Sequence, residues 1–451
     1  MPTDNLKILT KGLTWFLPYL LHATLARLRA LVHRITYTPT PNPKSVVVIG
    51  GSFAGFQLVK RLTETLPTGY QVVWIEKNSH LNYSFTFPRF SVVEGFEREA
   101  FIPYDGVERG AVKGVLKRVQ GVVTGVEKDQ VQVILANGEE EEEEMVVIGY
   151  EYLVIATGST QPLPVQVVST EREEACDELR GVQRSIQESE RIVVMGGGAV
   201  GVELASDIKD FYPGKSVTLV HSRGRLLNRF GERLGEYVLK VLQDGLGVRV
   251  LLDERPVMPG GGGMVRGATL VFSDGREEGF DLVIGCTGQC PNSSLLSTLY
   301  PDSISNENSC ILVQPTLQIH TSDSPTPDPD QRVFAFGDVA AHSGPLMARA
   351  GFLQAEIVLS NILSLIRGRT PETIYKPNFF VEGAIKLTLG KSHSVIYASD
   401  ERGDDAMLPS RGGKVDLDIG KAWRNFGVGG EFKKLKANEG LEGKDVKSHH
   451  V

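Results

Sequence analysis

Two stretches decide the fold of this chain: VVVIGGSFAG, from Val46 to Gly55, and IVVMGGGAVGVE, from Ile192 to Glu203. Each is an apolar run typical of a β-strand, followed by a glycine-rich turn and a segment with helical character. The turn lets a pyrophosphate approach the backbone, and the helix N-terminus directs free N–H groups at the phosphates. The sequence therefore predicts two dinucleotide-binding cradles.

The two cradles differ in their glycines. In the second copy all three positions of the GxGxxG spacing are glycine: Gly196, Gly198 and Gly201. The first copy has Ser52 at the middle position, between Gly50 and Gly55, where a side chain crowds the pyrophosphate slightly. Because the chain contains 49 glycines, the spacing alone is weak, and the strand before each turn and the helix after it supply the specificity.

The residues at the ends of the following strands predict a different nucleotide for each site. After the first turn, the next predicted strand ends in Glu76, a carboxylate placed to accept hydrogen bonds from ribose hydroxyls. After the second turn, the equivalent strand from Ser216 ends in His221 and is followed by Arg223 and Arg225. With arginines close by and no carboxylate to repel a 2′-phosphate, this site is predicted to accept NADPH as well as NADH, or better.

Two more strings, YLVIATGS at Tyr152 to Ser159 and VFAFGD at Val333 to Asp338, read as strands that end in glycine turns. They flank the second cradle, an order that resembles the pyridine-nucleotide-disulphide-reductase-like flavoproteins, in which an NAD(P)H domain is inserted into an FAD domain. The resemblance implies an α/β fold with two Rossmann-like, three-layer ββα nucleotide-binding domains and a small α+β C-terminal domain. It also implies that Asp338 hydrogen-bonds the ribityl and pyrophosphate region of FAD.

The expected organisation has five segments. They are a basic amphipathic membrane-associating segment at 1–42, the FAD-binding domain at 43–165 and 306–374, the NAD(P)H-binding domain at 166–305, and a C-terminal domain and tail at 375–451. We also expect a hairpin with an acidic loop at 137–144, a mobile glycine loop from Met258 to Gly267, and a proline-rich surface connection at 322–330. The tail from Lys421 is expected to be a surface-binding or disordered segment.

A more specific resemblance covers about residues 44 to 390. It rests on EGFEREAFIPY at 94–104, GGGAVGVELASDIKDFYPGKSVTLVHS at 196–222, CTGQCPNSS at 286–294 and MARAGFLQAEIVLSNI at 347–362. These segments resemble the apoptosis-inducing-factor-like, mitochondrion-associated inducer of death family, also called the ferroptosis suppressor family, to which type II NAD(P)H dehydrogenases are related. The resemblance implies an FAD enzyme that oxidises NAD(P)H and reduces a quinone of the ubiquinone or vitamin K type at a membrane surface.

The predicted site residues follow from the cradles and from this resemblance. The predicted FAD contacts are Gly50, Gly51, Ser52, Phe53, Ala54, Gly55, Glu76, Lys77, Arg89, Val123, Ala156, Thr157, Gly158, Gly337 and Asp338. The predicted NAD(P)H contacts are Gly196, Gly198, Gly201, His221, Arg223 and Gly288. Arg89 and Val123 are included because family members contact FAD at those positions.

Two residues are predicted to be catalytic. Glu203 follows the last glycine of the second turn, where it receives the nicotinamide carboxamide or orients the ring, or else only favours the helix N-terminus. Gln354 lies on the helix after Gly337-Asp338 (the GD motif), with Arg349 as another polar member, and that helix borders the quinone entrance in related enzymes. No metal site is predicted, because two thiols without histidine partners do not make one.

Cysteines and charge limit the alternatives. None of the four cysteines lies in the segment directly after the first glycine turn, where a redox-active disulphide of the glutathione-reductase type would lie. Cys286 and Cys290 are expected to be packing residues, and a disulphide reductase would require them to form a bond that the flavin reduces. A slow redox-sensing protein that binds both nucleotides and signals through partners is the other alternative. A net charge of −7 argues against a nucleic-acid partner.

The N-terminal segment has a different character. No acidic residue occurs from Asn5 to Thr63, and apolar residues recur there at helical spacing: Leu21, Leu25, Leu28, Val32 and Ile35. This pattern predicts a basic amphipathic helix that lies in an anionic membrane interface. A spanning helix, a cleaved mitochondrial presequence and a helix packed on the protein's own core are the alternatives. We expect a membrane-associated protein of the cytoplasm or mitochondrion, and a homodimer stays open.

Overall fold

A computed structural model describes residues 2–136, 144–320 and 332–445. The acidic loop at 137–143 and the proline-rich connection at 322–330 lie outside the described residues. The strands are β1 Lys44–Ile49, β2 Tyr70–Glu76, β3 His80–Asn82, β4 Phe101–Pro103, β5 Leu116–Val126, β6 Gln130–Leu135, β7 Met145–Gly149, β8 Tyr152–Ile155, β9 Ser159–Thr160, β10 Arg191–Met195, β11 Ser216–Val220, β12 Arg249–Leu251, β13 Met264–Val271, β14 Glu277–Gly285, β15 Cys290–Pro291, β16 Ile311–Leu312, β17 Val333–Ala335, β18 Ala340–Ala341, β19 Ile385–Leu389, β20 His393–Ser399 and β21 Asp405–Arg411.

The α-helices complete the layers on either side of the sheets. They are α1 Pro2–Thr36, α2 Phe53–Thr63, α3 Phe87–Phe90, α4 Asp105–Gly110, α5 Arg172–Gln187, α6 Ala199–Phe211, α7 Glu232–Lys240, α8 Ala348–Ile366, α9 Phe379–Glu382, α10 Ile419–Asn425 and α11 Gly429–Asp445. Short 3-10 turns and one π turn at Val241–Leu246 lie between them.

The first large sheet has the strand order β17-β8-β1-β2-β5-β6-β7. Strands β17, β8, β1, β2 and β5 run parallel, whereas β5, β6 and β7 form an antiparallel meander. Strand β17 lies after the inserted unit in sequence and pairs Phe334 with Val154 of β8. Both segments assigned to FAD binding therefore contribute to one sheet. The central strands are buried runs of valine and isoleucine, as parallel strands covered on both faces require.

The second sheet, β12-β11-β10-β14-β13, is built within the inserted unit. Its first four strands are parallel and β13 is antiparallel to β14. The prediction of a mobile loop from Met258 to Gly267 is wrong in its second half, because β13 begins at Met264 and pairs with Ile284. The N–H of Gly285 also donates to the carbonyl of Gly263 at 2.7 Å. Pairing with β14 thus orders the chain directly after the four consecutive glycines at 260–263.

The C-terminal unit combines the antiparallel sheet β19-β20-β21 with α10 and α11. Leu387 and Leu389 of β19 share a core with Ile208 of α6, so this sheet packs on the inserted unit. The expectation of a surface-binding or disordered tail from Lys421 is wrong for its first part. Trp423 is only 1% exposed, and its indole N–H donates to the carbonyl of Glu99 at 2.9 Å.

Helix α1 has an unusual orientation, because its polar face lies toward the protein. Asp4 is buried and forms a two-pronged pair with Arg233 at 2.9 Å for each contact, and Nε2 of His33 bonds the carbonyl of Leu66 at 2.7 Å. The predicted apolar stripe faces outward and ranges from 44% exposed at Leu25 to 86% at Ile35. Within the described residues, α8 alone is long and apolar enough for a membrane span, and it is partly buried in the fold.

Candidate functional site

The carboxyl end of the first sheet and the start of α6 open on one cleft of about 2000 Å³. An ordinary small-molecule pocket measures ~300–1,000 Å³, so this cleft has room for more than one large ligand. Its wall includes the first glycine turn, the start of α6, strand β19 and the middle of α1. The first cradle and the helix that follows the second glycine turn therefore face a shared space.

The first cradle depends on close backbone contacts. Gly50 has a φ of +104°, and a Cβ there would lie 2.4 Å from the carbonyl oxygen of Ala156. A Cβ on Gly55 would lie 2.1 Å from the carbonyl oxygen of Gly50, because α2 begins hard against the turn. Ser52 is exposed at the N-cap of α2 and forms no side-chain cap. The turn and the start of α2 line the cleft, which fits a pyrophosphate bound at the helix N-terminus.

Glu76 is held in place at the end of β2. Its Oε2 accepts the N–H of Gly51, and its Oε1 accepts both the backbone N–H of Asn78 at 2.9 Å and the side-chain amide of Asn78 at 2.8 Å. Burial raises the pKa of Glu76, while these N–H donors oppose the shift. The carboxylate that was predicted to bind ribose is therefore oriented before any nucleotide arrives.

The second cradle repeats this design with a different side chain. A Cβ on Gly196, which has a φ of +126°, would lie 2.8 Å from the carbonyl of Cys286, and a Cβ on Gly201 would lie 1.9 Å from the carbonyl of Gly196. At the end of β11, Nδ1 of His221 accepts the N–H of Gly197 at 3.1 Å. Burial lowers the pKa of His221, so the ring is neutral at pH 7 and carries its proton on Nε2.

A short segment after β14 crosses from the second cradle to the first. The Gln289 amide donates to Oγ of Ser159 at 2.8 Å and to Oδ2 of Asp338 at 3.4 Å, and β15 pairs with β9. Asn292 binds Thr157 twice, through its carbonyl oxygen at 2.8 Å and its side-chain amide at 3.0 Å. The predictions named only Gly288 in this segment; the similarity of CTGQCPNSS was the signal that could have added Gln289 and Asn292.

Gln354 holds the turn at Gly337 and Asp338 through a hydrogen bond. This side chain is fully buried, and its Oε1 accepts the N–H of Gly337, which has a φ of +73°, at 2.8 Å. Asp338 lines the cleft, and burial raises the pKa of its carboxyl group. Gln354 is not among the cleft-lining residues. Its contacts are those of a positioning residue beneath the turn.

Glu203 faces the cleft from α6, and the C-terminal domain holds it there. Its Oε1 accepts the backbone N–H of Thr388 at 2.9 Å and the Thr388 hydroxyl at 3.1 Å. Burial, aided by the nearby Asp207 carboxylate, raises the pKa of Glu203 to about 8. The carboxyl group is therefore mostly protonated at neutral pH. No sequence motif pointed to Thr388, which is 185 residues away along the chain.

Arg89 joins three parts of the molecule. One of its guanidinium nitrogens lies 2.8 Å from Oδ1 of Asp207 on α6 and donates to the carbonyl of Gly390 at 2.7 Å. The guanidinium also lies over the ring of Phe211 at 5.2 Å. Burial raises the pKa of Asp207 to about 6, and the arginine opposes that shift. Arg89 also lines the cleft.

The cleft brings many of the predicted site residues together. It is lined by Gly50, Gly51, Ser52, Phe53, Glu76, Lys77, Arg89, Val123, Ala156, Thr157, Gly158, Glu203 and Asp338. The predicted residues outside that lining are Ala54, Gly55, Gly196, Gly198, Gly201, His221, Arg223, Gly288, Gly337 and Gln354. The residues outside the lining belong to the glycine turns, support the turn at Gly337, or belong to the part of the second cradle that lies away from the cleft.

Cys286 offers little thiol chemistry at neutral pH. All four cysteines are free. Burial raises the pKa of Cys286 to about 12, so its thiol stays protonated at neutral pH, and a protonated thiol is a poor nucleophile. This argues against the disulphide-reductase alternative.

Comparison with known proteins agrees with this geometry. Residues 44–355 match the family model described as pyridine nucleotide-disulphide oxidoreductase. The chain belongs to that family. FAD is its cofactor and NAD(P)H its co-substrate, so the protein is an NAD(P)H-dependent flavoprotein oxidoreductase.

Individual relatives extend the match. The chain is 33% identical over 404 residues to Fe-regulated protein 8 of Mycosarcoma maydis, covering 85% of this chain and 95% of the relative. It is 30% identical over 366 residues to ferroptosis suppressor protein 1 of Homo sapiens, covering 78% and 87%. The solved structure of NDH2 from Plasmodium falciparum superposes with a TM-score of 0.61 at 12% identity, over 89% of this chain and 98% of that one. The predicted family resemblance is confirmed.

Proposed function

We propose that this protein is a quinone reductase that takes hydride from NAD(P)H and delivers electrons to a ubiquinone-like acceptor at a membrane surface. The observation that carries the proposal is the single cleft. It joins the FAD cradle to the start of α6 and then continues between α8 and α1, where Trp15, Phe352 and Ile357 line it beside an Arg61–Glu356 ion pair. The apolar part of this wall suits a lipid-soluble acceptor. The similarity to the ferroptosis suppressor family supports the same acceptor class.

The residues of this chain would act mainly by positioning. When bound, FAD would supply the redox chemistry that couples oxidation of the nicotinamide to reduction of the quinone. Hydride transfer needs two rings placed face to face in a dry space rather than protein acid or base chemistry. The glycine turns would hold the two pyrophosphates, Glu76 the ribose of FAD, and Gln354 the GD turn. Glu203, protonated at neutral pH, would donate a hydrogen bond to the carboxamide of the nicotinamide.

The membrane surface would be reached through α1. Its outward face carries long apolar side chains, including Leu17 and Leu20 at 61% and 48% exposure, and the exposed Arg27 and Arg29 lie on the same helix. Apolar insertion combined with nearby cations is the pattern of helices that lie in an anionic lipid interface. Apolar exposure on this scale is costly in water, which favours a lipid contact.

An anaerobic titration tests the quinone assignment. NADPH or NADH should bleach the flavin absorbance of the purified holoprotein, and a soluble quinone should restore it over many turnovers. If the nucleotide bleached the flavin but quinones failed to restore it, the acceptor assignment would be wrong, and the slow redox sensor would be the better description.

Vesicle flotation tests the membrane assignment separately. The holoprotein should float with phosphatidylcholine vesicles that contain phosphatidylglycerol, and Leu17→Glu/Leu20→Glu should abolish flotation. A matched change on the same face, Thr10→Ser/Thr24→Ser, should float like the wild type. Equal flotation of the glutamate variant would show that this face does not contact lipid.

A further inference from the structure

Helix α1 bridges two sides of the cleft, and its two ends are held by different kinds of contact. Near its start, Lys7 pairs with Asp404 at 2.5 Å, in the turn between β20 and β21. Lys11 pairs with Asp400 of the same turn at 2.9 Å. Near its end, the buried His33 hydrogen-bonds a backbone carbonyl of the segment between α2 and β2 at 2.7 Å. The first attachment is ionic, whereas the second is a buried hydrogen bond.

The N-terminal half of α1, from Pro2 to Leu17, buries little apolar surface against the protein. Ile8 packs against a small apolar cluster that contains Phe380 and Ala406. Five larger apolar residues of this half point away from the protein and are 45–61% exposed: Leu6, Leu9, Leu13, Phe16 and Leu17. Each of them would gain free energy by leaving water. Charge therefore contributes much of what holds this half in place.

The lysine pairs are open to competition from other anions. The side chains of Lys7 and Asp404 are 39% and 42% exposed, and those of Lys11 and Asp400 are 33% and 30% exposed. Ion pairs at such exposure are individually weak, because water and salt screen them. An anion that offers both lysines an equal partner can therefore replace the two carboxylates.

The remaining ion pair of this half has a substitute within the protein. Asp4 pairs with Arg233 of α7 through two contacts of 2.9 Å. The same arginine lies 3.2 Å from Asp405. Because Arg233 has this second carboxylate partner, it stays paired when Asp4 moves away. Release of the helix start would therefore leave no unpaired charge behind at this position.

A proline divides α1 between its two attachments. Pro18 lies inside the helix and has no N–H to donate to the carbonyl of Thr14, four residues earlier. Helices bend most readily at such positions. Thr14 and Trp15, on the N-terminal side of the proline, line the cleft. Movement of the N-terminal half about Pro18 would uncover this part of the cleft and leave the attachment at His33 intact.

We propose that phosphate groups on an anionic membrane surface compete with the hairpin carboxylates for Lys7 and Lys11, and so release the N-terminal half of α1. This half would then act as a strap that covers one side of the cleft in solution and uncovers it on the membrane. The inference rests on the membrane part of the proposed function. Lipid phosphate is favoured over free phosphate because it adjoins an apolar phase that the exposed leucines of the same half can enter.

The distance between two spin labels tests the release. In the full-length FAD-loaded protein, Cys290→Ser removes the exposed native thiol, and Thr10→Cys/Glu401→Cys places exposed labels on α1 and on the β20–β21 turn. On phosphatidylcholine vesicles that contain phosphatidylglycerol, the distance should lengthen by more than about 10 Å, because the segment before Pro18 spans about 20 Å as a helix. Without vesicles, or with phosphatidylcholine alone, it should stay short.

Neutral variants of the hairpin should mimic the anionic surface. Asp400→Asn/Asp404→Asn keeps both lysines, and an asparagine oxygen at 400 can still accept the backbone N–H groups of the turn. This variant should shift the labels toward the long distance without lipid. Lys7→Gln/Lys11→Gln breaks the same pairs from the helix side and should do the same. Glu236→Gln, which neutralises an exposed carboxylate on α7, is the matched control and should keep the short distance.

Flotation of the same samples separates the two proposals. If the protein did not float with the anionic vesicles, the membrane assignment would fail and this inference with it. If it floated while the label distance stayed short, the release would be overturned and membrane binding would stand. Inorganic phosphate is compared with sodium chloride at equal ionic strength, and neither should give the long distance. If phosphate alone gave it, a soluble anion would be the trigger and the membrane role would be wrong.

Discussion

Nδ1 of His221 accepts the backbone N–H of Gly197 at 3.1 Å. The first cradle has the same relationship with a carboxylate, since Glu76 accepts the N–H of Gly51. The two nucleotide sites therefore use one backbone design with two different side chains at the strand end. The side chain that fixes the glycine turn is also the one closest to where the adenosine ribose binds in this fold.

This equivalence predicts the cofactor preference of the second site. His221→Glu should keep the hydrogen bond to Gly197 but place a negative charge where a 2′-phosphate binds. We expect kcat/KM for NADPH to fall at least about tenfold, or about 1.4 kcal/mol, relative to that for NADH. His221→Gln, which can accept the same N–H without a charge, is the control and should retain NADPH. Unchanged NADPH kinetics in the glutamate variant would place the 2′-phosphate elsewhere.

Glu203 is predicted to act in the reductive step. Glu203→Ala should retain bound FAD, because Glu203 lies on the nucleotide insertion, yet it should slow flavin reduction by NADPH in single-turnover stopped-flow absorbance. Loss of one hydrogen bond to the nicotinamide predicts a decrease of about fivefold to about tenfold. Glu236→Ala, an exposed carboxylate on α7, is the control. A rate equal to wild type would remove Glu203 from the site.

The raised pKa of Glu203 predicts a pH-dependent stability. Its pKa rises from 4.5 to about 8 in the folded protein, so the folded chain holds this proton more tightly than the unfolded chain. The stabilisation is complete below about pH 4.5 and is lost as the pH rises through about 8. Glu203→Gln cannot ionise, so its thermal midpoint should gain on that of the wild type as the pH increases. Parallel curves for the two proteins from about pH 5 to about pH 9 would contradict the buried carboxyl group.

The contact between Arg89 and Asp207 predicts a strong structural coupling. Removing one partner of a buried ion pair typically costs about 3–5 kcal/mol, so Arg89→Met should lower the thermal midpoint markedly. Arg89→Met/Asp207→Leu removes the orphaned carboxylate and should recover most of that loss. The flavin content of each variant should be measured together with the midpoint. If the double variant were as unstable as the single one, the pair would not be the source of the stability.

Sequence reasoning found the features that neighbouring residues determine. The glycine turns and the strand ends at Glu76 and His221 follow from short patterns in which each element specifies the next. The family similarity then related the separated strands β8 and β17, which lie side by side in one sheet. The outward apolar stripe of α1 was also visible from its periodicity.

The contacts between distant segments were not visible in the same way. Thr388 meets Glu203, and Asp207 meets Arg89, only because three domains pack around α6, and no local pattern encodes that packing. The start of β13 was hidden for a related reason. Its glycine-rich beginning reads as a loop, and only the register with β14 turns it into a strand. Tertiary context outweighs local propensity at both places.

The segment between Gln289 and Asn292 links the inserted unit to the FAD-binding unit. It is fastened to Ser159 and Thr157 on one side and is continuous with the inserted unit on the other. Any hinge-like opening between these two units would have to break these hydrogen bonds and separate β15 from β9. The segment therefore restrains the inserted unit against the FAD-binding unit, through a few hydrogen bonds and one two-residue strand pair.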